Sequence, residues 1–222
     1  MLKQENIKSN ILGQSFYQHA TVDVGLQILG CLLRHRTDEG VIAGKIVEVE
    51  VYLGPKDPAS HAYIGLTKRT RIFWQGTGIA YIYFIYGMHL CFNVIAHTGK
   101  EVGGILVRAL EPVEGIDLME KKRHVKALTA LTSGPGKLTQ ALAITLEDNG
   151  RDLTKGDLNL VSFSVPSAIS VTTRIGISKA REMPLRFLEI GNPHVSRTKV
   201  KQFFTGNRSE VKRYLKKQIF TA

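Results

Sequence analysis

The segment Lys45 to Leu53 alternates cleanly, with Val47, Val49, Val51 and Leu53 on one side and Ile46, Glu48, Glu50 and Tyr52 on the other. Successive strand side chains point to opposite faces, so this pattern predicts a β-strand that packs its valines inward and presents two carboxylates and a phenol outward. Two further apolar runs, Ile79 to Tyr86 and His89 to Ala96, flank Gly87-Met88 and predict a β-hairpin turning at glycine. Gly104 to Leu110 predicts another strand, ended by Glu111-Pro112 because proline cannot donate to a ladder. Helical spacing occurs twice. Val22, Leu26, Leu29 and Leu33 predict an amphipathic helix over Val22 to His35, with Gly25 and Gly30 weakening it. Ser133-Gly-Pro-Gly-Lys137 leads into a second helix over Leu138 to Ile144, whose start carries capping and proline signals. The rest reads as mostly strand-like, without repeat, low-complexity stretch or linker. Mixed strands and helices in one uninterrupted chain predict a single α+β domain over residues 1–222.

Composition narrows the setting. The chain has 222 residues, 43% of them hydrophobic, which excludes a disordered chain and suffices for a core without staples. Cys31 and Cys91 form no metal spacing and sit among apolar residues, so a reduced, intracellular protein is expected. No segment approaches the ~18 apolar residues of a membrane span, and the N-terminus lacks a signal peptide's apolar core. A soluble, cytoplasmic protein without membrane contact follows as an expectation, in the nucleoid of a bacterium or the nucleus of a eukaryote.

Charge points to a partner. The formal net charge is +11, which favours a polyanion because each neutralised phosphate releases counterions. From Arg197 onward eight basic residues face one acid, a net +7, so residues 1–196 carry only +4. This 197–222 tail reads either as a solvated, frayed terminus or as a source of salt-dependent affinity. Lys68-Arg69-Thr70-Arg71 and Lys121-Lys122-Arg123 lie inside the folded region, where a scaffold can hold them against phosphates.

The candidate chemistry starts from Glu48 and Glu50, whose α-carbons should lie about 6.5–7 Å apart on one strand face. Either could serve as a general base, or both could be ordinary strand-face acids in cross-strand ion pairs. Arg108 shifts the balance: it interrupts an apolar strand and cannot lose its proton, so if buried it needs a carboxylate. His61 follows a turn-rich segment at the end of the Glu50 strand, with no second ligand at metal spacing. The Ser133–Lys137 loop resembles a phosphate cradle but lacks the Ser/Thr that a nucleotide P-loop places after its lysine. Tyr86 adjoins the turn glycine, out of phase with Tyr81 and Tyr83, and suits a wedge between base steps.

Taken together, Ile46 to Pro55 with His61, Tyr81 to Met88 with Asn93, and Leu106 to Pro112 closely resemble the alkyladenine (3-methyladenine) DNA glycosylases of the human type. The likeness continues through Ser133 to Leu138, Gln140 to Ile144, Arg174-Ile-Gly176 and Pro184 to Phe187, covering roughly residues 11 to 196. It implies a curved, mostly antiparallel sheet or open barrel surrounded by helices, with the hairpin protruding to intercalate in DNA. It also implies a monofunctional, cofactor-free and metal-free enzyme. Such an enzyme flips a damaged purine out of duplex DNA and hydrolyses its N-glycosidic bond.

Carried over by position, Glu50 is the base that activates water, Arg108 helps hold that water, and the Ile175 carbonyl is its third contact. Tyr52, His61 and Tyr83 would sandwich the base, while Asn93 would crowd the exocyclic amine of guanine. Tyr86, with Met88, would intercalate, and Arg69, Arg71, Lys137 and Arg174 would grip phosphates. Glu48 stays either a structural carboxylate or one that supports the site from behind. Since Tyr83 and Asn93 line one pocket in the family, a three-residue turn pairing them directly is expected. The expected partner is double-stranded DNA carrying 3-methyladenine, 7-methylguanine, hypoxanthine or ethenoadenine, bound by a monomer. Two rivals are a non-catalytic DNA binder and a glycoside hydrolase using Glu48 and Glu50.

Overall fold

The computed structural model describes residues 10–196 and 201–219. These form one α+β unit built on a nine-stranded antiparallel sheet that stays open rather than closing into a barrel. Its strands are β1 (Leu32–Thr37), β2 (Gly40–Tyr52), β3 (Ile79–Ile85), β4 (His89–Ile95), β5 (Gly104–Glu114), β6 (Leu158–Val161), β7 (Ile169–Thr172), β8 (Arg186–Glu189) and β9 (Gln202–Gly206). The order is β3-β4-β5-β2-β8-β7-β9, with β1 joined to β2 and β6 joined to β1. β2 is the trunk: its first half pairs with β1 and its second half, Glu48 to Glu50, with β8, while β5 runs along its other edge. The longer helices around the sheet are α1 (Thr21–Ile28), α2 (Ile116–Arg123), α3 (Pro135–Ala141) and α4 (Arg208–Ile219).

Several expectations from the sequence need correction. The first helix ends at Ile28, and Leu32 to His35 belongs to β1. Gly30 makes the switch: its φ is +87°, its N–H donates to Ile46 O at 2.8 Å, and a Cβ there would sit 2.3 Å from Ser164 O. Only glycine fits both the left-handed backbone and that close approach. β5 does not stop at Glu111-Pro112 but continues to Glu114, because Pro112 falls where the β2–β5 register shifts and no donor is required.

The hairpin turn has three residues, as expected, but they are Tyr86, Gly87 and Met88. Ile85 therefore pairs with His89, Tyr83 with Cys91 and Tyr81 with Asn93, so the direct Tyr83–Asn93 pairing is wrong by two residues. The two residues still share a face, because a two-residue shift preserves the pleat. Tyr86 itself takes the left-handed conformation, φ 53°.

The basic C-terminal segment, over its described part, is neither strand-like filler nor frayed. β9 pairs with β7 and covers that sheet edge, which open sheets otherwise leave available for aggregation. α4 buries Val211 and Leu215 in the main core, and Phe204 stacks on Tyr214 at 4.7 Å. Lys212 pairs with Asp23 at 2.9 Å and Arg208 donates to Leu29 O at 3.0 Å, pinning the helix to α1. Arg197 and Lys199 lie outside the described residues.

Candidate active site

The β2–β5 ladder is irregular where it matters. Between Ile46↔Leu110 and Glu48↔Ala109, β2 carries the extra residue Val47, and between Glu48↔Ala109 and Val49↔Val107, β5 carries the extra residue Arg108. A bulge re-aims side chains. Ile46 consequently joins Val49 and Val51 in one apolar core, against the simple alternation expected. The carboxylates are not outward either: Glu48 and Glu50 are both fully buried. Arg108, the bulged residue, reaches both of them.

Glu50 Oε2 accepts from the Tyr52 hydroxyl at 2.8 Å, and Oε1 accepts from the Ile175 backbone N–H at 2.7 Å. Arg108 Nη1 lies 3.2 Å from the same Oε1. Each carboxylate oxygen has two lone pairs, so Oε1 is filled and Oε2 keeps one acceptor position. Ile175 was expected to contribute through its carbonyl; the contact observed is its N–H, which orients the carboxylate. Glu48 is occupied differently. It accepts from Arg108 Nε at 2.9 Å, Arg186 Nε at 2.8 Å, Ser196 N at 2.6 Å and Ser196 Oγ at 2.7 Å.

Those surroundings push the two acids apart. Burial raises the Glu50 carboxyl above the usual range, and Arg108, the Ile175 N–H and the Tyr52 hydroxyl oppose this without reversing it. Burial acts the same way on Glu48, but Arg186 and Arg108, together with the Ser196 N–H, outweigh it and hold that carboxyl below the usual range. Both shifts draw on Arg108. The opposite directions follow from the geometry, since Glu48 has two guanidinium Nε partners and Glu50 has one Nη contact. A base above the ordinary carboxylate range is suited to accepting a proton near neutral pH. Glu48, fully buried, held by four donors and absent from the cavity wall, has no place beside a sugar, which removes the paired-carboxylate glycosidase reading.

Tyr52, Arg108 and Ile175 form part of the wall of an 820 Å³ cavity, with Glu50 immediately behind them. His61, Tyr81, Tyr83, Cys91 and Asn93 line the same space. His61 and Tyr83 lie edge to face, centroids 4.5 Å apart, and so make one composite aromatic surface. Tyr81 has a polar role: its hydroxyl lies 2.9 Å from His61 Nδ1 and accepts from Arg69 Nε at 3.3 Å. Burial, then the Arg69 charge, pushes His61 down to about 4, so the imidazole is neutral at neutral pH. Asn93 Nδ2 donates to Tyr81 O at 3.0 Å and to Cys91 O at 3.4 Å. Two carbonyl acceptors fix the amide orientation and leave Oδ1 as the atom it can offer a ligand.

The hairpin tip stands at the rim. Tyr86 is 80% exposed, Met88 72% and Phe84 53%, three large apolar side chains in one short segment. Close to the hairpin's turn, α3 begins with Pro135 in its first turn, and a Cβ on Gly136 would meet His89 Cβ at 2.9 Å. That glycine lets the Ser133–Lys137 loop close against the hairpin.

The basic residues divide. Lys137 is exposed at the α3 start, its Nζ 3.4 Å from Ser133 Oγ. Arg69 sits at the cavity rim over the Tyr83 ring, 5.4 Å from its centroid, and with Lys68 and Arg71 lines a second, 320 Å³ cavity. Arg174 does not belong with them. It is buried, paired through both Nη atoms with the buried Asp57 and donating to Val51 O at 3.0 Å, while its guanidinium covers the Tyr52 ring at 4.7 Å. With its charge consumed by Asp57, it holds Tyr52 and the loop carrying His61 rather than a phosphate. Asp57, Arg186 and Ser196 were not singled out from the sequence. Arg186 gave the same signal as Arg108, a guanidinium inside an apolar strand; Asp57 and Ser196 gave none.

Comparison with known proteins matches this architecture to one family. Residues 15–193 fit the family model described as methylpurine-DNA glycosylase. A protein of Methanoculleus marisnigri is 49% identical over 191 residues, covering 84% of this chain and 98% of that one. Proteins of Carboxydothermus hydrogenoformans, 44% identical over 190 residues, and Bacillus subtilis, 42% over 194, cover 84% and 86% of this chain and 99% and 98% of their own lengths. All three are provisionally named as 3-methyladenine DNA glycosylases. The match takes in β2, the hairpin, β5, the α3 loop and Ile175, every element that builds the cavity. On this extent of likeness the chain belongs to the methylpurine-DNA glycosylase family and is a hydrolase acting on N-glycosyl bonds.

Proposed function

We propose that this DNA glycosylase of alkylated bases flips damaged purines out of duplex DNA into the 820 Å³ cavity and hydrolyses the bond at the sugar C1′. The observation that carries the reading is Glu50. It is a fully buried carboxylate with one free acceptor position, held by Tyr52, Ile175 and Arg108 directly behind an aromatic-lined cavity. In the proposed reaction Glu50 Oε2 orients a water and takes its proton as the oxygen bonds C1′. The glycosidic pair leaves with the purine through an oxocarbenium-like state. Arg108 and the Ile175 carbonyl complete the water's contacts, and the free sugar keeps both of its phosphodiesters.

The flipped base lies between Tyr52 and the composite His61–Tyr83 surface. Aromatic faces attract cationic alkylpurines such as 3-methyladenine and 7-methylguanine, at roughly 0.5–2 kcal/mol. Hypoxanthine and ethenoadenine are neutral and are read by shape and by hydrogen bonds, and Asn93 excludes guanine at its exocyclic amine. Tyr86, flanked by Met88, occupies the space the base vacates, offsetting the few kcal/mol that unstacking costs. Arg69, Arg71 and Lys137 grip the flanking phosphates, and the basic face of α4 adds salt-dependent affinity.

The test is single-turnover incubation with duplexes carrying each of the four lesions, followed by separation of free base from DNA. Release of at least one free purine, with the strand intact until heated in alkali, is expected. Tight binding without release, or strand cleavage by the protein alone, contradicts the proposal.

A further inference from the structure

Glu48 accepts hydrogen bonds from four donors, as many as any buried acid among the described residues, yet it touches no cavity. It is fully buried, and its four donors come from three directions: Arg108 on β5, Arg186 on β8, and the main chain and hydroxyl of Ser196. Ser196 lies three residues past the end of the family match. The Arg108 guanidinium is therefore shared along two different edges, Nε to Glu48 at 2.9 Å and Nη1 to Glu50 at 3.2 Å. Since Arg108 is the extra residue of a bulge, the ladder does not hold its side chain in place, and its orientation depends on what it bonds.

We propose that Glu48 is a positioning residue: by holding Arg108 at Nε it aims the guanidinium at the catalytic water and keeps it from closing fully onto Glu50, thereby setting the basicity of Glu50. The proposal rests on the reading of Glu50 as the base. Two cations and two carboxylates make the buried cluster neutral, and neutrality is what allows it inside the protein. The groups facing Glu50 are Arg108 from β5, the Ile175 N–H, Tyr52 on its own strand, Tyr83 and the neutral Cys91 thiol from the hairpin, and Arg186 beyond Glu48. Glu48 is the other carboxylate that shares Arg108 with Glu50. Removing its charge leaves Arg108 to Glu50 alone and takes a like charge from the neighbourhood, and both effects make Glu50 a weaker base.

The experiment measures single-turnover base release against pH for the wild type, Glu48→Gln and Glu48→Asp, with affinity for the same lesion-bearing duplex measured alongside. E48Q should bind within about threefold of the wild type and release base at least tenfold more slowly. Its acid limb should move to lower pH by half a unit or more. E48D keeps the charge but retracts it, so its limb should lie between the two; if E48Q does not fold, E48D carries the test. A folded variant whose rate falls while its limb stays put, or whose rate does not fall, overturns the proposal and leaves Glu48 a structural acid. A wild type that releases no base from any damaged duplex overturns the underlying reading of Glu50 instead.

Discussion

The Tyr52 hydroxyl donates to Glu50 Oε2 at 2.8 Å, so a residue in the cavity wall also steers the carboxylate behind it. Tyr52 is in turn held by Arg174 across its ring. A hydrogen bond to a charged acceptor is worth about 1.5–3 kcal/mol, and Tyr52→Phe removes this one without changing the ring. The bond favours the ionised acid, so its loss moves Glu50 further up and the acid limb of base release to higher pH. We expect base release at neutral pH to fall about tenfold, the rate equivalent of roughly 1.4 kcal/mol, with lesion binding little changed. A pH–rate profile of the single-turnover step checks this.

The wild-type profile carries a prediction of its own. Burial raises Glu50, so the acid limb should lie above the ordinary carboxylate range. Base activity requires the ionised form, present above the limb and lost below it. His61, pushed down to about 4, should contribute no inflection near its ordinary value. Release of a stable neutral lesion, followed over roughly pH 4–9 where a carboxylate base works, reads both statements.

Arg174 and Asp57 form a buried pair that supports the site from behind. Arg174→Met strands the Asp57 carboxylate away from water, and breaking a buried pair from one side costs about 3–5 kcal/mol. Urea unfolding should show that loss. DNA binding by the variant, measured where it remains folded, should keep the wild-type salt slope, because Arg174 grips no phosphate.

Arg71→Gln and Lys137→Gln should behave in the opposite way. Both side chains are exposed, so stability should change by no more than about 0.5 kcal/mol. Each substitution leaves one phosphate without its cation and should flatten the plot of log affinity against log salt by about 0.9, equally for damaged and undamaged duplex. Titrations at several salt concentrations separate these exposed cations from the buried Arg174.

What the sequence could and could not convey follows from how local each feature is. The β2 alternation and the hairpin are local patterns, and both elements stand where period and turn chemistry placed them. Arg108 was conspicuous because a permanent cation in an apolar strand demands a partner. Its bulge was not legible, since an extra residue is defined only against the opposite strand. Nor was the burial of Glu48 and Glu50, whose face of β2 is covered by Ile175, Arg186 and Ser196, all remote in the chain. The hairpin register differs by two residues because the three-residue turn begins one residue earlier, at Tyr86, which takes a positive φ alongside Gly87. Arg174 has no phosphate role because Asp57, 117 residues away in the chain, takes its charge, and no local pattern signals that pairing. The basic tail looked like solvent-facing charge, yet Val211 and Leu215, four apart among lysines and arginines, were enough to dock α4.

Whether Glu50 is the base is read by single-turnover release of hypoxanthine or 3-methyladenine from duplex DNA by Glu50→Gln. The amide keeps the shape and can still accept from Tyr52, but it cannot take a proton from water. We expect unchanged affinity for the damaged duplex with base release reduced by at least ~10³-fold, roughly the contribution of a general base. Release within tenfold of the wild-type rate by a folded E50Q protein would contradict it.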